Sequence, residues 1–584
     1  MIKPFTISRK LIILFGVIFI VSRILFLDRD VPPWDVSFYS AFDEFYYTIA
    51  GFNMYRFGDP NFDLTCYLQT ENLYGHNLIQ NLFTWISYEI FGNNYYGLRM
   101  ASVLASLLSL IFFIIILKQI FHLNGNRNSS YKLMYWFVLF YFLIDYNFTI
   151  AGRIAEPTIF RIASVLFLMW VFLKTKKHNL FNILTLGFIS GCMVLMIYLN
   201  NLFVIPSVLL LLLIYQERSL KNYIRVIILF LSGVLISVLF YYVLYKALFN
   251  NNPFQSIYAT IFNYQDRVNL FYFESILNIF KSFAGNSIKF TSTNIFRHNI
   301  LLLIIFLSVI PVYIYRLRKY KLAYDLVIAS FYLFLFLQSL AINDYFFRKQ
   351  IVQLPLVLLI ITTSIFSLKE FYSHIKNSKY FNYYKTYLVF ACLGSLLILV
   401  YSSRIYTFYD NPIVFINVAL LILSALIAIL MSYGKLKLHT GILLVFIFLA
   451  APNIFLNLKY NYLKPEYKHR DAMIESAHFL NGKIIAGGPS HALRMYNTCI
   501  PVFDFWQFEN NHALYREKFF RLLSEKKIDL SFAFVNKNGV IYPSQFLDLI
   551  ITEHGFIKIT ELDINLDLLL SEKDVRLGIF KSPE

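Results

Sequence analysis

Along most of this chain apolar residues neither alternate with polar ones nor keep to one helical face; they run on unbroken. Such runs lie near 11–27, 98–117, 133–150, 158–173, 181–199, 201–215, 226–248, 298–315, 324–341, 351–367, 386–402, 412–432 and 441–457. Most are roughly 17–23 residues long, enough for a helix to cross the hydrocarbon core. A window criterion therefore predicts about thirteen membrane spans. The pair 181–199 and 201–215 also reads as one broken hairpin, since Asn200-Asn201 is its only separator and Pro206 follows closely. Between the first two runs, Phe42, Phe45, Tyr46, Ile49, Phe52 and Phe57 recur at helical spacing, which predicts an amphipathic helix lying in the interface. After Tyr460 the pattern changes. Short β-rich runs, "KIIAGG", "IDLSFAFV" and "GFIKI", are interleaved with helical stretches such as "NHALYREKFFRLLSEK". The expected fold class is a polytopic all-α membrane domain over 1–460, followed by a small α/β domain over 461–584.

Composition agrees: 58% of the 584 residues are hydrophobic and 15% charged, with a mean hydropathy of +0.59, far from the usage of a soluble domain. The net charge of +18 does not point to nucleic acid, because Lys and Arg cluster in short connections between apolar runs. Every second connection is basic ("ISRK", "LNGNRNSSYK", "KTKKH", "QERSLKNYIR", "RLRKYK", "KEFYSHIKNSKYFNYYK", "GKLKLH"), which places these connections and the N-terminus in the cytoplasm. The segment 28–89 has the opposite bias, with Asp28, Asp30, Asp35, Asp43, Glu44, Asp59, Asp63, Glu71 and Glu89 against Arg29 and Arg56. It is expected outside, as is the C-terminal domain. The first apolar run is too long for a cleaved signal and lacks a small-residue cleavage site, so it reads as an uncleaved helix. The localisation expected is a multi-pass protein of a bacterial inner or plasma membrane. Cys192 and Cys392 fall inside spans, whereas Cys66 and Cys499 share the oxidising face, where a disulfide between them is conceivable.

Candidate chemistry centres on "AFDEFYYTIAGFNMYRFGD", which opens at Ala41 and sets Asp43-Glu44 at a helix start. On these residues alone, Ser40-x-x-Asp43 reads as a capping box. "IIAGGPSHALRMY" has a strand and a Gly-Gly turn but not the G-x-G-x-x-G spacing, so it reads as a tight βα turn. His76 and His298 read as structural residues at membrane edges rather than metal ligands. The 62 Phe and 43 Tyr are read as belt and packing residues.

The next part of the loop carries a resemblance. The order of acidic pair, helix, "GD", Glu71 before a second amphipathic segment, then "FGNNYYGLRMAS" entering the second span resembles the first external loop of GT-C glycosyltransferases. Within these it is most similar to the branch of protein O-mannosyltransferases and lipid A aminoarabinose transferases, whose sugar donors are polyprenyl phosphates. "GRIAEPTIF" looks like the family's second acidic site, with Glu156 where Asp is common, and "NDYFFRKQIVQLPLVLLI" resembles its aromatic-Arg-x-x-x-x-x-Pro segment. The chain departs from the family at Asn72-Leu73, where a Lys-Pro is frequent, and at Tyr198 and Asn200, where a Lys-Gly pair is frequent.

The resemblance implies an inverting glycosyltransferase acting on a polyprenyl-phosphate-linked sugar, with a glycan, lipid or protein as acceptor and membrane lipids around it. By the same resemblance Asp43 is the general base, and Glu44, Glu71 and Glu156 orient it, bind the acceptor or hold a cation. A base at a helix N-terminus is expected to have a depressed pKa. With the family's lysines missing, the phosphate falls to Arg153, Arg348 and Lys349, with Arg267 and Arg297 behind them. No cofactor and no divalent metal are expected. A secondary transporter would show two similar halves with broken or charged helices at mid-membrane, and no such repeat is seen. A glycan polymerase or ligase without these sites is the other alternative, against which the Asp43-Glu44 loop argues. The long connection 249–297 is expected to serve as a lid.

Overall fold

The computed structural model describes residues 9–29, 40–60, 77–124, 129–175, 179–198, 201–215, 219–249, 296, 299–341, 351–376, 378, 380–405, 411–432, 438–463, 467–480, 482–487, 500–503, 521, 525, 528–536, 539–542, 554–563 and 576–583. The first segment runs α1 (Arg9–Ile24), α2 (Ser40–Phe57), α3 (Leu78–Phe91), α4 (Tyr95–Leu123), α5 (Ser129–Ile144), α6 (Tyr146–Ala151) and α7 (Pro157–Lys174). Next come α8 (Leu180–Cys192), prolonged by a π turn (Met193–Ile197), then α9 (Val204–Tyr215) and α10 (Leu220–Phe249). The last group is α11 (Ile300–Tyr320), α12 (Ala323–Ala341), α13 (Leu354–Ile375), α14 (Tyr380–Ile405), α15 (Asn411–Ser432) and α16 (Leu438–Leu456), which ends in a π turn, Asn457–Leu463. Every apolar run marked in the sequence falls on a helix. Among the described residues seven helices are long and apolar enough to cross a membrane, by length and composition. Four shorter apolar helices, Leu133–Ile144, Val204–Tyr215, Ala323–Gln338 and Ile416–Ile427, accompany them. The chain is thus a multi-pass integral membrane protein.

Helix α13 is the most enclosed, with buried residues on all sides from Leu354 to Ser364. Helix α10 is the opposite case: Ile228, Leu231, Leu235, Leu239 and Val243 are exposed, the apolar outer face a bilayer would cover. Where α10 meets α8 the two backbones touch. A Cβ on Gly187 would lie 2.2 Å from the Phe230 carbonyl oxygen, and one on Gly233 would lie 2.1 Å from that of Leu184. Small residues permit this approach, and dispersion then holds the pair without help from water. Gly187→Ala is therefore expected to destabilise the chain by about 1–3 kcal/mol, as overpacked cores do. The matched control is Gly394→Ala on α14, where nothing lies within 4 Å. A thermal unfolding series in detergent in which the two variants behave alike would refute this.

The run 133–150, expected as one span, is two helices that break at Asp145. The Asp145 side chain accepts the backbone N–H groups of Asn147 and Phe148 and so starts α6 afresh. The opened backbone finds further partners on a ladder of buried asparagines at the end of α16 and in the π turn after it. Asn453 accepts the Tyr146 N–H, Asn457 donates to the Ile144 carbonyl, and Asn461 donates to Asn457. Broken backbone at membrane depth persists only where protein supplies such partners.

After α16 come α17 (Lys468–Leu480) and the strands β1 (Ile484–Gly487), β2 (Ile500–Phe503), β3 (Leu530–Asn536), β4 (Gly539–Tyr542), β5 (Ile557–Asp563) and β6 (Arg576–Lys581). The sheet has the order β2-β1-β3-β6-β5, with β4 also pairing β3. β1 is parallel to β2 and β3, whereas β4, β5 and β6 are added antiparallel. β1 and β4 occupy successive stretches of the same edge of β3, since β6 takes the other edge from Leu530 to Val535. The three strands read in the sequence are β1, β3 and β5. β2, β4 and β6 were not anticipated, being short or interrupted by Pro501 or Gly578. The first residues of α17 reach back to the turn after α1 through an Arg470–Asp28 ion pair of 2.7 Å.

Candidate active site

Helix α2 carries the acidic pair in its opening turns. It is not the half-exposed interfacial helix that its apolar spacing predicts. Glu44, Thr48 and Asn53 are as fully buried as Phe45, Ile49 and Phe52. Helix α3 has its faces reversed relative to a soluble protein. Gln80, Asn81, Thr84 and Ser87 are buried, while Ile86 and Ile90 are 49% and 68% exposed. Asn81 locks the two helices together, accepting the Gly51 N–H at 2.9 Å and donating to the Tyr47 carbonyl at 3.2 Å.

The Glu44 carboxylate is fully buried and its partners come from two distant parts of the chain. Arg99, near the start of α4, donates Nε to Oε1 at 2.8 Å and Nη2 to Oε2 at 2.6 Å, a two-pronged pairing. The Ala155 backbone N–H donates to Oε1 at 2.8 Å. On its other side Ala155 accepts at its carbonyl from Gln80 Nε2, also at 2.8 Å. One residue of the α6–α7 connection, Ala155, is thus gripped at both its N–H and its carbonyl, by α2 and α3. Glu156 is the next residue along. It is buried, it sits at the N-cap of α7 with Pro157 at the first helical position, and its side chain is not engaged in capping that helix. Asp43 adjoins Glu44 and Glu156 adjoins Ala155, so the first and second acidic segments share one neighbourhood although Glu44 and Ala155 stand 111 positions apart.

The same node closes the end of α1. Arg153 donates Nη1 to the Ser22 carbonyl and Nη2 to those of Leu25 and Phe26, at 3.1, 2.7 and 2.6 Å. Arg99 Nη1 takes the Leu27 and Arg29 carbonyls at 2.6 and 2.5 Å. Arg29 in turn donates to the Tyr460 carbonyl and to the Asn461 side chain. The last carbonyls of a helix carry partial negative charge, so cations complement them. They also hold Phe26 at φ 54, a left-handed turn that a bulky residue rarely adopts. Burial lowers the Arg153 pKa to about 10, and the guanidinium stays charged at neutral pH.

Among the expected site residues, the structure brings Glu44, Arg153 and Glu156 together. Arg153 has a different role from the phosphate contact expected of it, because its terminal nitrogens serve three carbonyls of α1. Arg153 and Glu156 lie in the turn that separates α6 from α7. The Asp43 backbone is on α2, but its side chain lies outside the described residues, as do Glu71, Arg267, Arg297, Arg348, Lys349, His76, His298, Cys66, Cys499 and the expected lid. Sequence reasoning passed over Arg99, Gln80 and Arg161. Arg161, one turn into α7, is buried and donates Nε to Asn201 and Nη2 to Gln338, at 3.1 and 3.0 Å. The available signal was a charge standing at the edge of an apolar run, which has to find a partner.

No family model and no curated protein matches the chain. Solved structures do. ArnT from Cupriavidus metallidurans bound to undecaprenyl phosphate is 14% identical, with 98% of each chain covered and a TM-score of 0.56. The same protein in the apo state is 14% identical over 97% of each chain, with a TM-score of 0.52. ArnT is a lipid A aminoarabinose transferase of the GT-C superfamily, and this chain has its fold.

Proposed function

We propose that this chain is an integral membrane glycosyltransferase that moves a sugar from a polyprenyl-phosphate donor to a hydroxyl or amine outside the membrane. The observation that supports this best is the Glu44–Ala155 hydrogen bond, which joins two acidic segments far apart in sequence. It does so within a fold whose solved relative holds undecaprenyl phosphate. In this reading Asp43 is the general base. It takes the acceptor proton as the acceptor oxygen or nitrogen forms its bond to C1 of the sugar. The C1–O bond breaks, its electron pair leaves with the lipid phosphate, and the anomeric configuration inverts. Glu44 acts through Arg99 and Ala155 to set the start of α2, and Glu156 faces the acceptor with Glu71. The departing phosphate is met by Arg348 and Lys349, with Arg267 and Arg297 behind them, because Arg suits phosphate through its planar fork. Hexoses and pentoses are both compatible with this step, and no metal has a role in it.

The same reading gives about thirteen spans, a cytoplasmic N-terminus and a separate C-terminal domain, 461–584, on the outer face. The test uses the purified full-length chain with polyprenyl-phosphate-linked hexoses and pentoses. Release of polyprenyl phosphate that depends on the chain is expected for at least one donor. In parallel, a deletion strain should lose one glycolipid, polysaccharide or glycoprotein species, which identifies the acceptor. Intact donors throughout, together with unchanged profiles, would end the proposal.

A further inference from the structure

At the end of the bundle opposite the carboxylate node, three helices bring their basic ends together. Helix α4 fixes the separation. It begins beside Arg99, and Asn124, the residue capping its far end, receives Arg316 Nη2 at 3.0 Å. A helix of that length spans about 40 Å, so this cluster and the node lie at opposite membrane faces. Arg316 of α11 is buried and pairs with Asp325 of α12 at 2.8 Å, which anchors the corner. Above it Lys319 and Tyr320 of α11 both reach Glu370 of α13. Ring contacts complete the junction: Tyr315 packs on Phe371 at 5.6 Å, and Phe371 packs on Tyr384 of α14 at 5.2 Å.

This well-built corner leaves positive charge unanswered. Arg318, Lys321, Lys369, Lys376 and Lys385 are exposed, and among the described residues none of them forms an ion pair. Glu370 is already engaged. Like charges gathered on one corner repel, and a counter-anion would stabilise them. Two features show which anion. Tyr372, Tyr380 and Tyr383 stand 47%, 60% and 66% exposed around the lysines, an amphipathic collar of the kind found at headgroup level. One to two turns beyond Lys385 on the same helix, Val389, Phe390 and Leu393 are exposed at 57%, 68% and 52%. A soluble polyanion would match the charges but not the apolar band that continues from them. A phospholipid matches both, with its phosphate among the lysines and its tails along α14.

We propose that the ends of α11, α13 and α14 form a docking surface for anionic phospholipid headgroups of the leaflet opposite the carboxylate node. This does not rest on the glycosyltransferase reading. Clusters of four or more Lys and Arg at a membrane edge bind such lipids by charge, at a strength that falls with salt. The test is lipid binding to the detergent-purified full-length chain, followed by native mass spectrometry with phosphatidylglycerol and with phosphatidylcholine. The wild type is expected to bind phosphatidylglycerol about tenfold or more tightly at low salt. The triple variant Arg318→Glu, Lys369→Glu, Lys376→Glu should lose this preference, and the milder triple glutamine variant should weaken it. These three side chains make no described contact that the changes would break. A preference that survives in both variants overturns the proposal. So does its equal loss in Lys483→Glu, Lys558→Glu, Lys581→Glu, which would report net charge alone. Displacement of the lipid by inorganic phosphate beyond that by chloride at equal ionic strength would indicate a free-phosphate site instead, and equal retention of poly-glutamate would indicate a protein partner.

Discussion

Asp43→Asn is expected to lower sugar transfer by about 10²–10⁴-fold, the contribution typical of a positioned general base, with the chain still made and inserted in normal amount. Asn keeps the size and one oxygen of Asp but cannot take a proton at neutral pH. The exchange keeps side-chain shape and a hydrogen-bond acceptor in the first turn of α2 and gives up only the charge that favours a helix start, about 0.3–1 kcal/mol. In cells this variant should reproduce the glycan profile of the deletion, and with purified chain it should lower kcat more than it raises KM. Glu156→Gln serves as the companion. If Glu156 faces the acceptor, its exchange should act mainly on KM, and the two variants should have separable kinetic signatures. Transfer by Asp43→Asn within about threefold of wild type would remove Asp43 from the role of base, because even a weak general base contributes more than that.

The second large effect concerns Arg99. Truncation to Ala removes both prongs from a fully buried carboxylate and leaves the Leu27 and Arg29 carbonyls without their donor. Breaking one side of a buried ion pair costs about 3–5 kcal/mol, mostly because the surviving charge is stranded. Arg99→Ala should therefore lower the thermal transition in detergent and abolish transfer together. Arg99→Lys should recover stability only in part, since a point charge cannot serve two carboxylate oxygens and two carbonyls at once. The informative construction is the pair Glu44→Leu with Arg99→Leu. Removing both charges should destabilise less than removing either alone. It should still leave sugar transfer impaired, because nothing then fixes Ala155 to α2. Additive losses in the double variant would show that the two residues do not act as a pair.

How much of this was legible beforehand differs from element to element. The helices announced themselves because a span must be apolar over its whole length, a signal that survives without knowledge of neighbours. The acidic segments around Asp43 and Glu156 were recognisable from their order along the chain. That they meet was not, because the contact runs through a backbone N–H, that of Ala155, and a peptide group carries no sequence signature. The partner of Glu44 was within reach of reasoning: Arg99 stands at the entry to an apolar run, where an unpaired charge is costly. Arg153 misled for the complementary reason. An arginine near the end of a span resembles a phosphate clamp, and only coordinates reveal that the carbonyl end of α1 lies in front of it. Helix α3 was read as amphipathic, but which of its faces turns inward depends on the solvent, and in a bilayer the apolar side turns out.

The grip on Ala155 also dictates an order of assembly. Arg99 lies 55 residues after Glu44 and Ala155 lies 111 after it, so a growing chain possesses the ionic partner of Glu44 well before it possesses the backbone one. Until the α6–α7 connection has been synthesised, α2 and α3 hold an empty socket for it. A nascent chain halted short of that connection would already possess its first acidic segment, yet would lack the piece that sets its geometry. The geometry of the first acidic segment is therefore not complete before that connection seats.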